Sequence, residues 1–481
     1  MTVQRSLRGF AGLLWRLSDL VQAAERSRSF RARAYRTAIW ALDDISGVEA
    51  DDEELMETAG IGPGVTALFN EYRSTGAINQ LIPLEEAYPK DSALLRRLPR
   101  MSPTMLRELK TLGVETTADL RQAVSSGAAE TIRGAGPHTL HLWRRILELS
   151  PGSGWMPAHQ AWVVATSLAS HIGRHTESEV ELAGPVRRVE EWADGVDLVV
   201  ATDRPEKVRS FLGETAVLRG PVGSSSEKVV AETHAGMRVE THITTSHSAG
   251  TALFVATGPP DHVARMGQVG DHASEVEVYR ESGLPWIPPP ARVLPVAAAT
   301  GVVGLSDIRG DLHLHSEASP DGRMSLETIV ASAVQRGYDY ILITDHTEGL
   351  RFGGLGVEDL AQQAREIDQL RSRHPGVKIL HGAELNIGPD GSLDILAPGL
   401  DRLDFAVTGV HSHFGLTRAE QTDRVISALS HPVVRILAHP FGRRIGIRPC
   451  LDIDMGRVVE AAVAMGVALE TNGHRDRLDL P

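Results

Sequence analysis

Apolar residues in the first 150 positions recur at spacings of three and four, as in Leu13, Leu14, Leu17, Leu20 and Val21. That is the period of a helix with one buried face, and the stretch is predicted to be all-helical. Between 178 and 255 the pattern shortens. Val199-Val200, Ala216–Leu218, Val229-Val230 and Arg238–Ile243 are brief β-rich runs between turns, which predicts sheet. Residues 283–304 collect Pro285, Pro288, Pro289, Pro290 and Pro295 and read as a connector. Beyond Asp307, short apolar runs (Tyr340–Thr344, Lys378–Leu380, Phe405–Thr408, Arg435–Ala438) alternate with helical ones (Leu360–Arg371, Val458–Met465). That alternation predicts parallel βα units.

The length of 481 residues fits about three domains at roughly 100–200 residues each. A hydrophobic share of 42% allows packed cores and excludes wholesale disorder. No apolar run reaches the ~18–20 residues of a membrane span, so no membrane role is expected. The first forty residues hold eight Arg, so no secretory leader is expected. The single Cys450 excludes an internal disulfide framework and fits a reducing cytosol. The net charge of −13 does not by itself advertise a nucleic-acid partner. Its distribution is uneven: 19 basic and 19 acidic residues in 1–150, 12 and 18 in 151–300, 18 and 25 in 301–481. The acidity thus lies in the last two thirds.

Within the neutral region a short turn recurs. Gly60, Gly62 and Gly64 lie in Ala59–Val65, and Gly134 and Gly136 lie in Arg133–His138. A third copy, Leu98–Pro103, has lost both glycines. Glycine permits the tight turn and leaves backbone N–H groups bare at the next helix start, where a phosphate is favoured. One copy would read as an ordinary helix–helix turn; the repetition favours DNA, whose backbone can be gripped this way with little net positive charge. Ahead of these turns, Arg26–Arg36, with Arg31 and Arg33, reads either as a solvated basic face or as a phosphate patch backed by Phe30 and Tyr35.

The segments SFRARAYRTAIWAL, ETAGIGPGVTALFNEYRSTG and IRGAGPHTLHLW resemble the lyase-like and helix-hairpin-helix region of bacterial family X DNA polymerases. The likeness continues through Gly184–Arg188, Val196–Val200 and Ala256–Gly258, and is most specific at Glu277–Arg292, which is similar to the run ending that family's polymerase core. It extends over the whole chain and finishes in a PHP (polymerase and histidinol phosphatase) domain. The resemblance implies a multidomain fold: an all-α helix-hairpin-helix region, an α+β nucleotidyltransferase-like palm, and an α/β PHP barrel of distorted TIM type. The boundaries it implies are 1–88 (lyase-like), 89–150 (fingers-like), 151–292 (palm and thumb), 293–306 (linker) and 307–481 (PHP).

Against that family the polymerase motifs are degenerate. Two-metal phosphoryl transfer needs carboxylates that clamp two Mg²⁺ ions. The family places two at alternate positions of one strand; here Asp197 is retained but its partner position is Gly195, and Asp194 is one residue early, on the expected opposite face. The third carboxylate becomes Glu240. Gly184-Pro185 replaces a Gly-Ser, and Thr257-Gly258-Pro259 a Thr-Gly-Ser. Together these changes predict weak or lost polymerisation. Residues 1–89 contain no Lys, so the Schiff-base lyase chemistry of some relatives is not expected either.

The C-terminal region is richer in chemistry. His313 and His315 stand at alternate positions near one strand end, followed by Asp321, His346, Glu384, His411 and His439 near the ends of successive strands. Imidazoles and carboxylates gathered at one end of a parallel sheet are the pattern of a multinuclear Zn²⁺, Mn²⁺ or Fe²⁺ site. The resemblance carries ligand roles onto these seven residues, with Glu384 bridging, and His413 and His374 read as surface residues. Arg443 reads as a phosphate clamp or a salt-bridge partner. Relatives supply a final Asp-x-His beyond the position of Pro481, so the PHP domain reads as C-terminally incomplete. His439, His411 and Glu384 are expected to form one complete site, while His313/His315 and Asp321/His346 each want a further ligand.

The resulting expectation is a DNA-binding repair protein that hydrolyses phosphoester bonds as a 3′→5′ exonuclease or 3′-phosphatase with Mn²⁺ or Zn²⁺, acting through His313 and Glu384. The alternatives are an inactive DNA-binding scaffold of repair, or a gap-filling polymerase using Mg²⁺ at Asp197 and Glu240.

Overall fold

Ser6 accepts a hydrogen bond from the amide of Gly9 and so starts α1 (Leu7–Ala24), which buries Phe10, Leu14, Leu17, Leu20 and Val21 along one face. The computed structural model describes residues 5–25, 29–149, 155–299, 301–349, 353–395 and 397–480. They form two compact units: residues 1–301 with 446–448, and 302–445 with 449–481.

In the first unit, α1 is followed by α2 (Phe30–Ala41), α3 (Asp52–Glu57), α4 (Pro63–Thr75), α5 (Pro103–Thr111), α6 (Pro137–Leu149) and α7 (Ala158–Thr176), with further helices between. Five strands then build one sheet: β1 (Glu179–Ala183), β2 (Gly195–Ala201), β3 (Leu218–Ser224), β4 (Lys228–Thr233) and β5 (Arg238–Thr244). Their order is β1-β2-β5-β4-β3, with β2 and β5 parallel and the other pairs antiparallel. β2 is buried from Gly195 to Val200, as a central strand packed on both faces should be. A single apolar core runs from Phe10 to Ile243, joining helices and sheet. Asp43 reinforces that junction: it accepts from the Ala216 amide at 2.6 Å and from His171 Nε2 at 2.8 Å.

The proline-rich stretch is not an open connector throughout. Ile287 and Ala291 pack with Phe254, Val278 and Tyr279 in a separate small core. Arg292, 0% exposed, pairs with Glu275 at 2.7 Å. The prolines stiffen a packed segment, and the boundary between units falls at 301/302, inside the 293–306 stretch.

The second unit alternates strand and helix as expected. β6 (Gly310–Leu314), β7 (Tyr340–Ile343) and β8 (Lys378–His381) form one parallel sheet; β9 (Glu384–Asn386), β10 (Ala406–Gly409), β11 (Val434–Leu437) and β12 (Ala468–Leu469) form another. The helices are α8 (Leu326–Gln335), α9 (Val357–Arg373), α10 (Arg418–Leu429) and α11 (Met455–Met465). A parallel bridge between His346 and Glu384 links the two sheets. Among the described residues no helix is long and apolar enough to cross a membrane.

Candidate metal centre

The strand ends of the second unit deliver the expected cluster. Alternation along β6 puts His313 and His315 on one side, and both reach the same oxygen of Glu384: Nε2 to Oε2 is 3.1 Å for His313 and 3.4 Å for His315. His346, just beyond β7, brings Nδ1 within 3.4 Å of that oxygen. The other oxygen, Oε1, faces His411 Nε2 at 3.0 Å and His439 Nε2 at 2.9 Å. Asp321 stands at the rim, its Oδ2 3.3 Å from His346 Nε2.

Five imidazoles thus surround one carboxylate that is 2% exposed. Five protonated rings would repel one another, and five neutral rings each turning an N–H inward would offer more donors than the roughly four lone pairs of one carboxylate accept. Divalent cations between nitrogen and oxygen resolve both conflicts. The buried Nδ1 atoms of His411 and His439 have no hydrogen-bond partner among the described residues. Donor atoms fall into three groups close enough to share an ion: His313/Glu384/His439, His315/Asp321/His346 and His346/Glu384/His411. This grouping differs from the expected one. His411 and His439 go to different groups, His313 joins His439, and His315 joins Asp321 and His346.

The electrostatics follow from this crowding. Burial alone would raise the Glu384 carboxyl, but His411 and His313 hold it well below the usual range. Burial would lower His313, yet Glu384 and Glu470 push it up to about 10. Burial takes His439 down to about 4. Hydrogen bonding from His346 leads the effects that hold Asp321 at about 2.

Two residues were not assigned to the centre from the sequence, although Glu470, with Asn472, matches the family's next strand there. Glu470, at the end of β12, accepts from His313 Nδ1 at 2.8 Å and from the His439 amide at 2.6 Å. A proton on Nδ1 satisfies Glu470 and leaves Nε2 facing Glu384. Asn472 donates to Glu470 at 3.1 Å. Gly409 ends β10 directly beside the cluster: a Cβ there would lie 2.8 Å from His439, 3.2 Å from His411 and 3.3 Å from Glu384. The Gly just ahead of Val410-His411 was its only trace in the sequence. The charge of Arg443 bears on Asp479: burial raises that carboxyl, and Arg443 opposes the rise. Arg443 is buried, donating through Nε to the Arg477 carbonyl at 2.6 Å and through Nη2 to the Leu478 carbonyl. His413 is exposed, and His374 pairs with Glu327 at 3.5 Å.

In the first unit, β2 and β5 set Asp197 beside Glu240 as register partners. Cationic side chains stand at this pair. Arg238 reaches Glu240 at 2.6 Å and Asp197 at 3.3 Å, and Lys228 lies 2.9 Å from Glu240. His242, whose pKa burial lowers, lies 3.1 Å from Glu240. Asp194 is not turned away as expected. It precedes β2, outside the strand alternation, and lies 3.8 Å from the same guanidinium. Burial pushes Asp197 up to about 6, Arg238 opposes this, and Glu240 and Asp194 add to it. Gly184, at φ +61°, leans on Asp197, and any Cβ there would collide with its carboxylate.

The glycine turns are built alike. Gly60, Arg100 and Gly134 all have positive φ, the next residues Ile61 and Ala135 are buried, and Pro63, Pro103 and Pro137 each open a helix. Gly62, Gly64 and Gly136 have nothing within 4 Å of a Cβ position. Gly62 caps α4 without a side chain, whereas Ser102 accepts from the Met105 amide in the degenerate copy. Phe30 corrects the expected patch: it is 80% exposed, with Arg33 stacked on it at 4.5 Å, rather than packed behind it like Tyr35. Arg31 pairs with Glu25 at 2.9 Å. Arg26, Ser27, Arg28 and the side chain of His138 lie outside the described residues.

Comparison with known proteins gives the same outline. The PHP domain family matches residues 311–440. The DNA polymerase/3′-5′ exonuclease PolX of Bacillus subtilis is 31% identical over 488 residues, covering 94% of this chain and 85% of the relative. The chain belongs to the PolX family. The PHP region of this PolX-family chain is also similar to a probable phosphatase of Syntrophotalea carbinolica, 29% identical over 165 residues (34% of this chain, 64% of that protein). The probable phosphatase YcdX of Shigella flexneri is 34% identical over 167 residues (34% and 63%).

Proposed function

We propose that this chain binds DNA and hydrolyses phosphoester bonds at its 3′ ends, as an exonuclease or phosphatase, with polymerase activity weak or lost. The observation that carries this reading is the convergence of five imidazoles on the buried Glu384. His313, His315, Asp321, His346, Glu384, His411 and His439 would hold Mn²⁺ or Zn²⁺, with Glu384 shared between ions. Such ions supply Lewis acidity and a water of lowered pKa for attack on phosphorus. The chain's own part is to hold those ligands rigidly. Glu470 orients the His313 ring and, through the His439 amide, the start of the loop after β11. Gly409 keeps the space between His411 and His439 clear.

The reading of polymerase loss rests on Arg238, which puts a fixed cation among Asp194, Asp197 and Glu240 where that chemistry needs metal. The 1–88 and 89–150 segments serve as the DNA grip, through open amides at Gly60, Gly62, Gly64, Gly134 and Gly136 aided by Arg33, and 151–292 as a palm-derived scaffold.

Metal analysis combined with a nuclease assay on 3′-tailed DNA in Mn²⁺ tests the proposal. Bound metal and cleavage lost in His313→Ala and Glu384→Ala are expected; metal-free protein, or cleavage unchanged in both variants, would refute it. DNA affinity should fall with salt and on Gly62→Glu or Gly136→Glu. Robust dNTP incorporation on a gapped primer, abolished by Asp197→Ala, would overturn the polymerase part.

A further inference from the structure

A cavity of about 390 Å³ lies within the first unit, between α1, the segment Lys90–Leu98, α6 and the turn joining β4 to β5. It is separate from the glycine turns and from the Asp197–Glu240 pair, none of which lines it. Its size is that of a small-molecule site. Its charge is unlike that of the chain. Six cationic side chains line it (Arg16, Arg36, Lys90, Arg97, Arg121 and Arg219) against two acidic ones, Asp19 and Asp91, in a protein of net charge −13.

Some of these cations are committed: Arg36 to Asp19 at 2.9 Å, Arg16 to Glu85 at 3.1 Å. Arg97 and Arg121 are different. Their hydrogen bonds go to neutral oxygens, Gln160 Oε1 for Arg97 and the Leu147 carbonyl at 2.8 Å for Arg121. Arg97 is exposed while desolvation of its charge lowers its pKa, so its guanidinium lies at the open side of the cavity. Asp19 is within electrostatic reach of Arg97 but is already hydrogen-bonded to Arg36.

The walls also offer flat aromatic surface. Trp15, Trp155 and Trp192 line the cavity, with Trp155 37% exposed and Arg36 over the Trp15 ring at 5.3 Å. Guanidinium groups recognise phosphate oxygens, and indole faces stack on nucleobases. An inorganic anion would leave the indoles unused, and an uncharged aromatic would leave the guanidiniums unused.

We infer that this cavity binds a nucleotide, with Arg97 and Arg121 holding the phosphate and Trp15 or Trp155 stacking on the base. The ligand is either a free mononucleotide or the terminal nucleotide of a DNA strand; both present the same chemistry.

The test uses the full chain in EDTA, so that metal at the histidine centre cannot recruit phosphate. Tryptophan fluorescence is titrated with dAMP, deoxyadenosine, inorganic phosphate and a 5′-phosphorylated hexa-deoxyadenylate. Quenching by dAMP or by the hexamer is expected, with deoxyadenosine and phosphate each weaker by about tenfold or more, the loss of one charge-assisted or stacking contact. Arg97→Met should weaken the binding about tenfold. Arg121→Gln gives a second, independent reading should the first variant fold poorly. Saturation by dAMP identifies a free nucleotide, and saturation by the hexamer alone a strand end; either supports the site. No quenching by either probe, equal binding of deoxyadenosine, or affinity unchanged in both folded variants would overturn it.

Discussion

Asp197 offers a direct measure of the electrostatics of β2. Its carboxyl is pushed from 3.8 to about 6 by burial, with Arg238 pulling the other way and Glu240 and Asp194 adding to the rise. A carboxyl raised in the folded state is most favourable there when protonated. That stability is fully present below about pH 4 and is lost as pH rises through about 6. At about 1.4 kcal/mol per unit, the ionised form costs at most about 3 kcal/mol at pH 8. Asp197→Asn keeps the shape and removes the titration. The variant should therefore gain on the wild type between pH 4 and pH 8, by up to about 3 kcal/mol, and be the more stable at pH 8. Urea unfolding in EDTA can read this in the intact chain, because all seven Trp lie between Trp15 and Trp286, in the first unit. A stability difference that stays flat with pH, or a variant less stable at pH 8, would refute the reasoning: Arg238 would then be stabilising an ionised Asp197. Repeating the wild-type series with Mg²⁺ adds a check, since a cation held by Asp197 would flatten its pH profile.

Three further outcomes are expected. Glu470→Gln should cost about 10–100-fold in metal affinity, measured by competition with a chelator, because it loosens His313 without removing a ligand; unchanged affinity would remove Glu470 from the centre. Gly409→Ala should lower Mn²⁺-dependent DNA hydrolysis while leaving the tryptophan-detected unfolding of the first unit unchanged, since its Cβ would intrude between His439, His411 and Glu384. Arg292→Met should destabilise the first unit by about 3 kcal/mol in the same urea titration, the low end for a broken buried pair, because Arg187 still holds Glu275 at 2.7 Å.

The parts of this molecule that were legible in the sequence are those governed by period and by strand ends. The three-and-four spacing of Leu14, Leu17 and Val21 became the buried face of α1. Alternation at His313 and His315 correctly placed both rings on one side. The contacts that were missed are long-range. Nothing local to Glu470 says that it will meet His313, 157 positions away. The grouping of ligands differs from the expected one because strand order does not tell how far apart two rings on the same oxygen of Glu384, such as His411 and His439, will stand. Asp194 was misplaced for a different reason: strand alternation was applied to a residue lying just outside the strand. The prolines of 285–290 were read by composition, which is blind to Ile287 packing on Tyr279.

The centre has a consequence for the endurance of the second unit. His313, His315 and His346 lie on or just beyond strands of the three-stranded sheet, while Glu384, His411 and His439 lie on or just beyond strands of the four-stranded one. At the bridge of His346 and Glu384 the seam between these sheets carries the ionisable cluster, while Leu312, Leu342, Val407 and Ala438 pack together elsewhere along it. Ions held there would act as rivets across the seam, each adding its binding free energy to the resistance against opening. Stripping them would leave crowded imidazoles to push the sheets apart. The supply of divalent metal in the cell would then govern how long the domain survives proteases as well as how fast it works.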